Sequence, residues 1–128
     1  MRCLIDTHAF LWFITTDKRL GERAYEEISN IENEVVLSIA SLWEIAIKAS
    51  LGKLELMKPF RDLIPRELVV NEIDLLPITP KHLAVLTDLP FHHRDPFDRL
   101  IIAQAMVEGI PLLSVDEEFR KYPVQILW

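Results

Sequence analysis

Short apolar runs alternate along this chain with longer segments of helical period, and few architectures accept that order. Residues 2–6 (RCLID) form a strand candidate that stops at an acid, and residues 7–14 are helical and almost wholly apolar. Residues 21–31 carry a helical stripe of Ala24, Tyr25, Ile28 and Ile31, and residues 34–38 (EVVLS) are a second strand. Residues 41–51 are read as a helix stopped by Gly52. A further helix over 59–70 is expected to break or shift at Pro65. Residues 73–78 form a third strand, 80–89 a helix with proline in its first turn, and 89–94 (LPFHHR) a loop. Asp95-Pro96 opens a strong helix that runs to Glu108 and stops at Gly109. Strands at 111–115 and 124–127 close the chain, joined by a short helix at 117–121.

This order of elements predicts an α/β fold: a three-layer α/β/α sandwich with a central parallel sheet, in one domain over residues 1–128. Right-handed crossovers bring the carboxyl ends of all strands to one edge, where open sheets of this kind bind ligands. Composition agrees. Leu, Ile, Val and Phe supply 47 of the 128 residues, too many for a disordered chain. The single cysteine, Cys3, cannot form an internal disulfide, which fits a reducing compartment. The longest apolar run, residues 9–14, is far short of a membrane span of roughly 18 residues. A cytoplasmic protein with no membrane partner is therefore expected. The net charge of −6 argues against a general nucleic-acid coat and favours a cation-binding site or a basic partner.

Four acids fall at four strand-to-helix junctions. Asp6 closes the first strand, Glu44 follows the second, Asp98 begins the helix of HHRDPFDRLIIAQA, and Asp116 follows the strand LLS. Each has a plain reading as a helix start. Asp6 fits a turn or N-cap, Ser41 with Glu44 a capping box, Asp95 an N-cap that leaves Asp98 in the first turn, and Ser114 with Glu117 another box beside Asp116. Together they mean more. Unit charges about 4 Å apart repel by roughly 4 kcal/mol at an effective dielectric near 20, so converging carboxylates must take up protons or bind cations. Oxygen ligands of this kind favour Mg²⁺ or Mn²⁺, and a divalent metal so held can activate water and stabilise the charge developing on a phosphodiester. The alternatives are a non-catalytic binding module whose acids only cap helices, a DNA nuclease or a small phosphatase. A haloacid-dehalogenase-type phosphatase needs a second Asp two residues after the first, where His8 stands, and no lysine is suitably placed for a receiver domain.

On these residues the chain resembles the PIN-domain nucleases, and within them the VapC-type toxins of bacterial toxin–antitoxin systems. The matching segments are LIDTHAFLW, LSIASLWEIAIKASLGKLEL, LPFHHRDPFDRLIIAQAMVEGIPLLSVDEEF and YPVQILW, in order over nearly the whole length. The resemblance implies a metal-dependent endoribonuclease using Mg²⁺ or Mn²⁺, a homodimer silenced by a cognate antitoxin. It places the catalytic, metal-binding acids at Asp6, Glu44, Asp98 and Asp116, with Ser114 beside the last. His8 stands where many relatives carry Asn or Ser.

Other residues carry weaker expectations. Asp95 is read as the N-cap of its helix. Arg99 and Arg94 flank the site and are expected to meet substrate phosphates or partner carboxylates, or simply solvent. Lys48, four residues after Glu44, has ion-pair spacing, with an RNA-phosphate contact as the other reading. His92 and His93 are adjacent in a polar loop, so they are not expected to share one metal, and no histidine ligand is expected. Trp12, Phe13 and Trp43 are assigned to core, with a dimer contact or antitoxin groove as the alternative. Residues 53–70 are a candidate lining for such a groove.

Overall fold

In the computed structural model, residues 1–127 are described. Five strands, β1 (Arg2–Ile5), β2 (Glu34–Ser38), β3 (Asp74–Leu76), β4 (Leu112–Leu113) and β5 (Ile126–Leu127), form one sheet in the order β3-β2-β1-β4-β5. All four pairings are parallel, with Ile5 opposite both Leu37 and Leu113. Six α-helices connect and cover them: α1 (Thr7–Ile14), α2 (Glu22–Ser29), α3 (Ile39–Ser50), α4 (Phe60–Val70), α5 (Pro80–Asp88) and α6 (Pro96–Glu108).

The period-2 alternation of the strands builds two cores. Cys3, Ile5, Val35, Leu37 and Leu113 face one side, where Phe10 and Phe13 of α1, Ile28 of α2, Ile45 of α3 and Ile64 of α4 pack. Leu4, Val36, Leu76 and Leu112 face the other, against Ile101, Ile102 and Ala105 of α6, with Phe119 and Tyr122. The result is the expected three-layer α/β/α sandwich. The chain moves outward from β1 to β2 and β3, then returns past β1 to β4. The crevice between β1 and β4 is thus the point where the strand order reverses, and there the carboxyl ends of an open sheet accept ligands.

Several boundaries have local causes. Asp95 caps α6 through bonds from the Phe97 and Asp98 amides, Pro96 takes the first helical position, and Gly109 ends the helix in the left-handed conformation. A short 3-10 turn at Lys18–Leu20, not anticipated from sequence, is capped by Asp17. The expected interruption at Pro65 does not occur. Helix α4 continues through it, because Leu63 and Ile64 are buried in the first core; that packing outweighs a proline penalty of about 3 kcal/mol.

Candidate active site

Asp6 sits where β1 gives way to α1, and its backbone and carboxylate fix the helix start. Its Oδ1 accepts from the Ala9 amide at 2.7 Å, and its Oδ2 from the Ser114 hydroxyl at 2.5 Å. Ser114 lies just past β4, so one short bond joins the two strands that flank the crevice. The same hydroxyl accepts from the Asp116 amide at 3.0 Å. Asp6 is only 4% exposed, and burial raises its carboxyl above the usual range despite those two bonds.

Glu44 enters from the opposite side. The capping-box reading with Ser41 is not what the chain adopts: α3 begins earlier, with Ser38 as N-cap bonding the Ala40 amide, so Glu44 is an interior helical residue. At 2% exposure, its carboxylate is held by Thr7 Oγ1 at 2.9 Å and Lys48 Nζ at 2.6 Å. Thr7 also bonds the Ser41 hydroxyl at 2.9 Å. The Glu44–Lys48 spacing was readable as an ion pair, and the structure forms one.

Asp98 completes the first turn of α6, which follows α5 and a loop, so it does not stand at the strand-to-helix junction expected for it. Burial is the largest cause of its shift to about 7, followed by the negative charge of Asp95; Glu44 and Asp6 push the same way, while His93 opposes them. Asp116 is the N-cap of a 3-10 helix at Glu117–Lys121, accepting from the Glu118 amide at 2.9 Å, rather than a first-turn acid beside a Ser114–Glu117 box. Its Oδ2 lies 3.0 Å from His93 Nε2, and Asp98 Oδ2 lies 3.1 Å from the same nitrogen.

The four acids named from sequence are therefore gathered at one crevice, linked by Ser114 and His93 and by mutual repulsion. Asp95 is the cap it was read as, and in addition the charge that most strongly opposes ionisation of Asp98. Arg99 is not at the site. It is 6% exposed, donates to the Pro90 and Leu89 carbonyls at 2.9 and 3.1 Å, and stacks 3.9 Å from the Phe91 ring centroid. Its fork fastens the 89–94 loop, so the expectation of a phosphate contact is withdrawn. His93 is the residue that sequence reading missed. Adjacent histidines in a loop do not reveal which ring turns inward, and here His92 packs on Tyr122 while His93 turns to the acids.

The donor set fits a hard divalent cation. Carboxylates and hydroxyls converge, burial and then the neighbouring acids raise Asp98 to about 7, and Cys3 is buried in the core with its thiol raised to about 11. His93, Asp98 and Asp116 could hold a metal ion on spacing alone. A groove of about 480 Å³ leads away from Thr7 and Glu44, walled by Leu11, Trp12 and Leu63 and by the 53–57 segment that was expected to line one. Phe13 is core, as assigned. Trp43 is not: it is 59% exposed and meets Phe97 edge-on at 5.3 Å.

A family model described as PIN domain matches residues 3–125. The chain is 28% identical over 120 residues to a protein named Ribonuclease VapC22 of Mycobacterium tuberculosis, covering 93% of this chain and 90% of the relative. Among solved structures, VapBC2 from Rickettsia felis bound to a DNA fragment from its promoter matches with a TM-score of 0.74 at 15% identity, over 99% of this chain and 98% of the other. DNA-bound VapBC from Salmonella typhimurium matches with a TM-score of 0.71 at 18% identity, over 99% and 97%. At these identities the structural matches speak for the fold alone.

Proposed function

The chain belongs to the PIN domain family, and from that premise we propose that it is a metal-dependent endoribonuclease, the toxin of a toxin–antitoxin pair. The observation that carries this reading is the meeting of Asp6, Glu44, Asp98 and Asp116 at the crevice where the strand order reverses, with Asp98 pushed up to about 7 by burial and then by its acidic neighbours. Helix capping alone would not require Glu44 to be buried in mid-helix. The likeness to a protein named as a ribonuclease supports RNA as substrate.

In this reading Asp6, Glu44 and Asp98 are the principal holders of Mg²⁺ or Mn²⁺, and Asp116 serves a second or outer position. The chemistry such an ion supplies when bound is a water of lowered pKa and stabilisation of charge developing on the phosphodiester. Ser114 and the Ala9 amide fix both oxygens of Asp6, while Thr7 and Lys48 fix those of Glu44. Lys48 also balances the charge of the cluster: its pKa is raised, chiefly by its bond to Glu44 and further by Asp95 and Asp98. No side-chain nucleophile is needed.

The partners follow from the same reading. A cognate antitoxin occupies the groove beside α1, a second copy forms a homodimer, and the protein works in the cytoplasm. Among the described residues no helix is long and apolar enough to cross a membrane. The test is cleavage of a mixed cellular RNA pool by antitoxin-free protein with Mn²⁺ or Mg²⁺, with EDTA, and with folded Asp6→Asn protein. Discrete fragments that need both the metal and Asp6 are expected. Full metal-dependent cleavage by the Asp6→Asn protein would refute the assignment of the site.

A further inference from the structure

His93 is held more firmly than a loop histidine needs to be. Its amide donates to Tyr122 Oη at 2.8 Å, and Tyr122 Oη donates on to the Pro90 carbonyl at 2.8 Å. The ring packs on Phe119, with centroids 5.4 Å apart, and Arg99 ties down the loop through the Leu89 carbonyl and the same Pro90 carbonyl. The orientation that results aims Nε2 between the Oδ2 atoms of Asp98 and Asp116. Those carboxylates come from different elements, the first turn of α6 and the cap after β4, and nothing in the local sequence of either brings them together.

The other ring nitrogen decides what His93 does there. The Asp95 amide donates to Nδ1 at 3.3 Å, so Nδ1 presents its lone pair and the ring proton resides on Nε2. Direct coordination of a metal through Nε2 would need that proton on Nδ1, facing the Asp95 N–H, and two donors would then confront each other. Donation from Nε2 to both carboxylates has no such conflict. We propose that His93 is a positioning residue of the cation site, an Nε2–H donor that draws the Oδ2 atoms of Asp98 and Asp116 together. Asp116 Oδ1 is itself oriented by the Glu118 amide, so both of its oxygens have assigned places.

This inference rests on the reading of the acids as a metal site and adds the group that orients two of them. Hydrogen-bond partners that orient metal ligands typically contribute about 10- to 100-fold to metal affinity. The test is a calorimetric titration of Mn²⁺ into the full chain, with His93→Phe and His93→Gln compared. Phenylalanine keeps a ring against Phe119 and loses the donor, so its Mn²⁺ affinity is expected to fall about 10- to 100-fold; glutamine restores an N–H near the Nε2 position and is expected to recover most of the loss. Electron spin-echo spectroscopy of the Mn²⁺-loaded wild type needs no variant and is expected to show no directly coordinated ¹⁴N. Wild-type affinity in folded His93→Phe protein, or a coordinated ¹⁴N signal that disappears in His93→Gln, would overturn the proposal and leave the nuclease reading intact. Absence of saturable Mn²⁺ binding by the wild type would overturn both.

Discussion

Asp98 shows how one residue records the state of the whole site. Its carboxyl, raised by burial and by Asp95 to about 7, holds a proton more tightly in the folded than in the unfolded chain. That contribution to stability is fully present below the ordinary value of 3.8 and is lost as pH rises through about 7. Metal-free protein should therefore lose stability between about pH 4 and 8, and Asp98→Asn should remove part of that slope and stabilise the metal-free chain at pH 8 by about 1–3 kcal/mol. Thermal unfolding in EDTA across that range checks both. Asp95 makes a contrasting case at the same scale. Asp95→Ala loses the cap of α6, at a cost of about 1 kcal/mol, yet should keep metal-dependent cleavage. Its removal also lets Asp98 ionise at lower pH, so Mn²⁺ binding should extend to more acidic solutions. A cap acid and a site acid three residues apart are thus separable by experiment, although both read as helix starts in the sequence.

Elements were legible where local chemistry alone fixes them. Residues 7–14, the 34–38 strand and the Asp95-Pro96 start match the folded chain because caps, prolines and alternation act over a few residues. The start of α3 was misread at Ser41 because Ser38 offers an equally good cap, and only the burial of Ser41 and Glu44 decides between them. Pro65 was misread for a related reason: its cost is local, while the packing that outweighs it is tertiary. Arg99 belongs here too, since its partners are carbonyls, which carry no side-chain signature. Arg99→Ala should cost about 2–4 kcal/mol, since a buried charged donor and several carbonyl partners are lost at once. Arg99→Lys should recover little, because one ammonium cannot replace a planar fork. Amide exchange at residues 91–94 should accelerate in both variants. An unchanged loop would mean that Arg99 does not fasten it.

Across the whole molecule, strand order does what no single motif could. The sequence indicates that Asp6 and Asp116 follow strands, but not that β1 lies between β2 and β4 and so brings Asp6 beside Ser114. His93 became visible only once the 89–94 loop had been folded over the edge of the sheet. The charge balance also belongs to this scale. A net charge of −6 argues against the chain's holding RNA by a broad basic surface. Its RNA affinity should therefore depend weakly on salt, with a log–log slope shallower than about −2, as expected for two or three phosphate contacts to a single strand. A steep slope would mean that a basic surface elsewhere carries the substrate. The central claim, that four carboxylates from separate elements are one cation site, is tested most directly by calorimetric titration of Mn²⁺ into metal-free protein at pH 7.5, comparing wild type with Asp6→Asn, Glu44→Gln, Asp98→Asn and Asp116→Asn. Saturable binding that weakens in each folded variant, most of all for Asp6, Glu44 and Asp98, is the result this account predicts. Binding that is absent from the wild type, or indifferent to all four substitutions, would mean that the acids serve the fold alone.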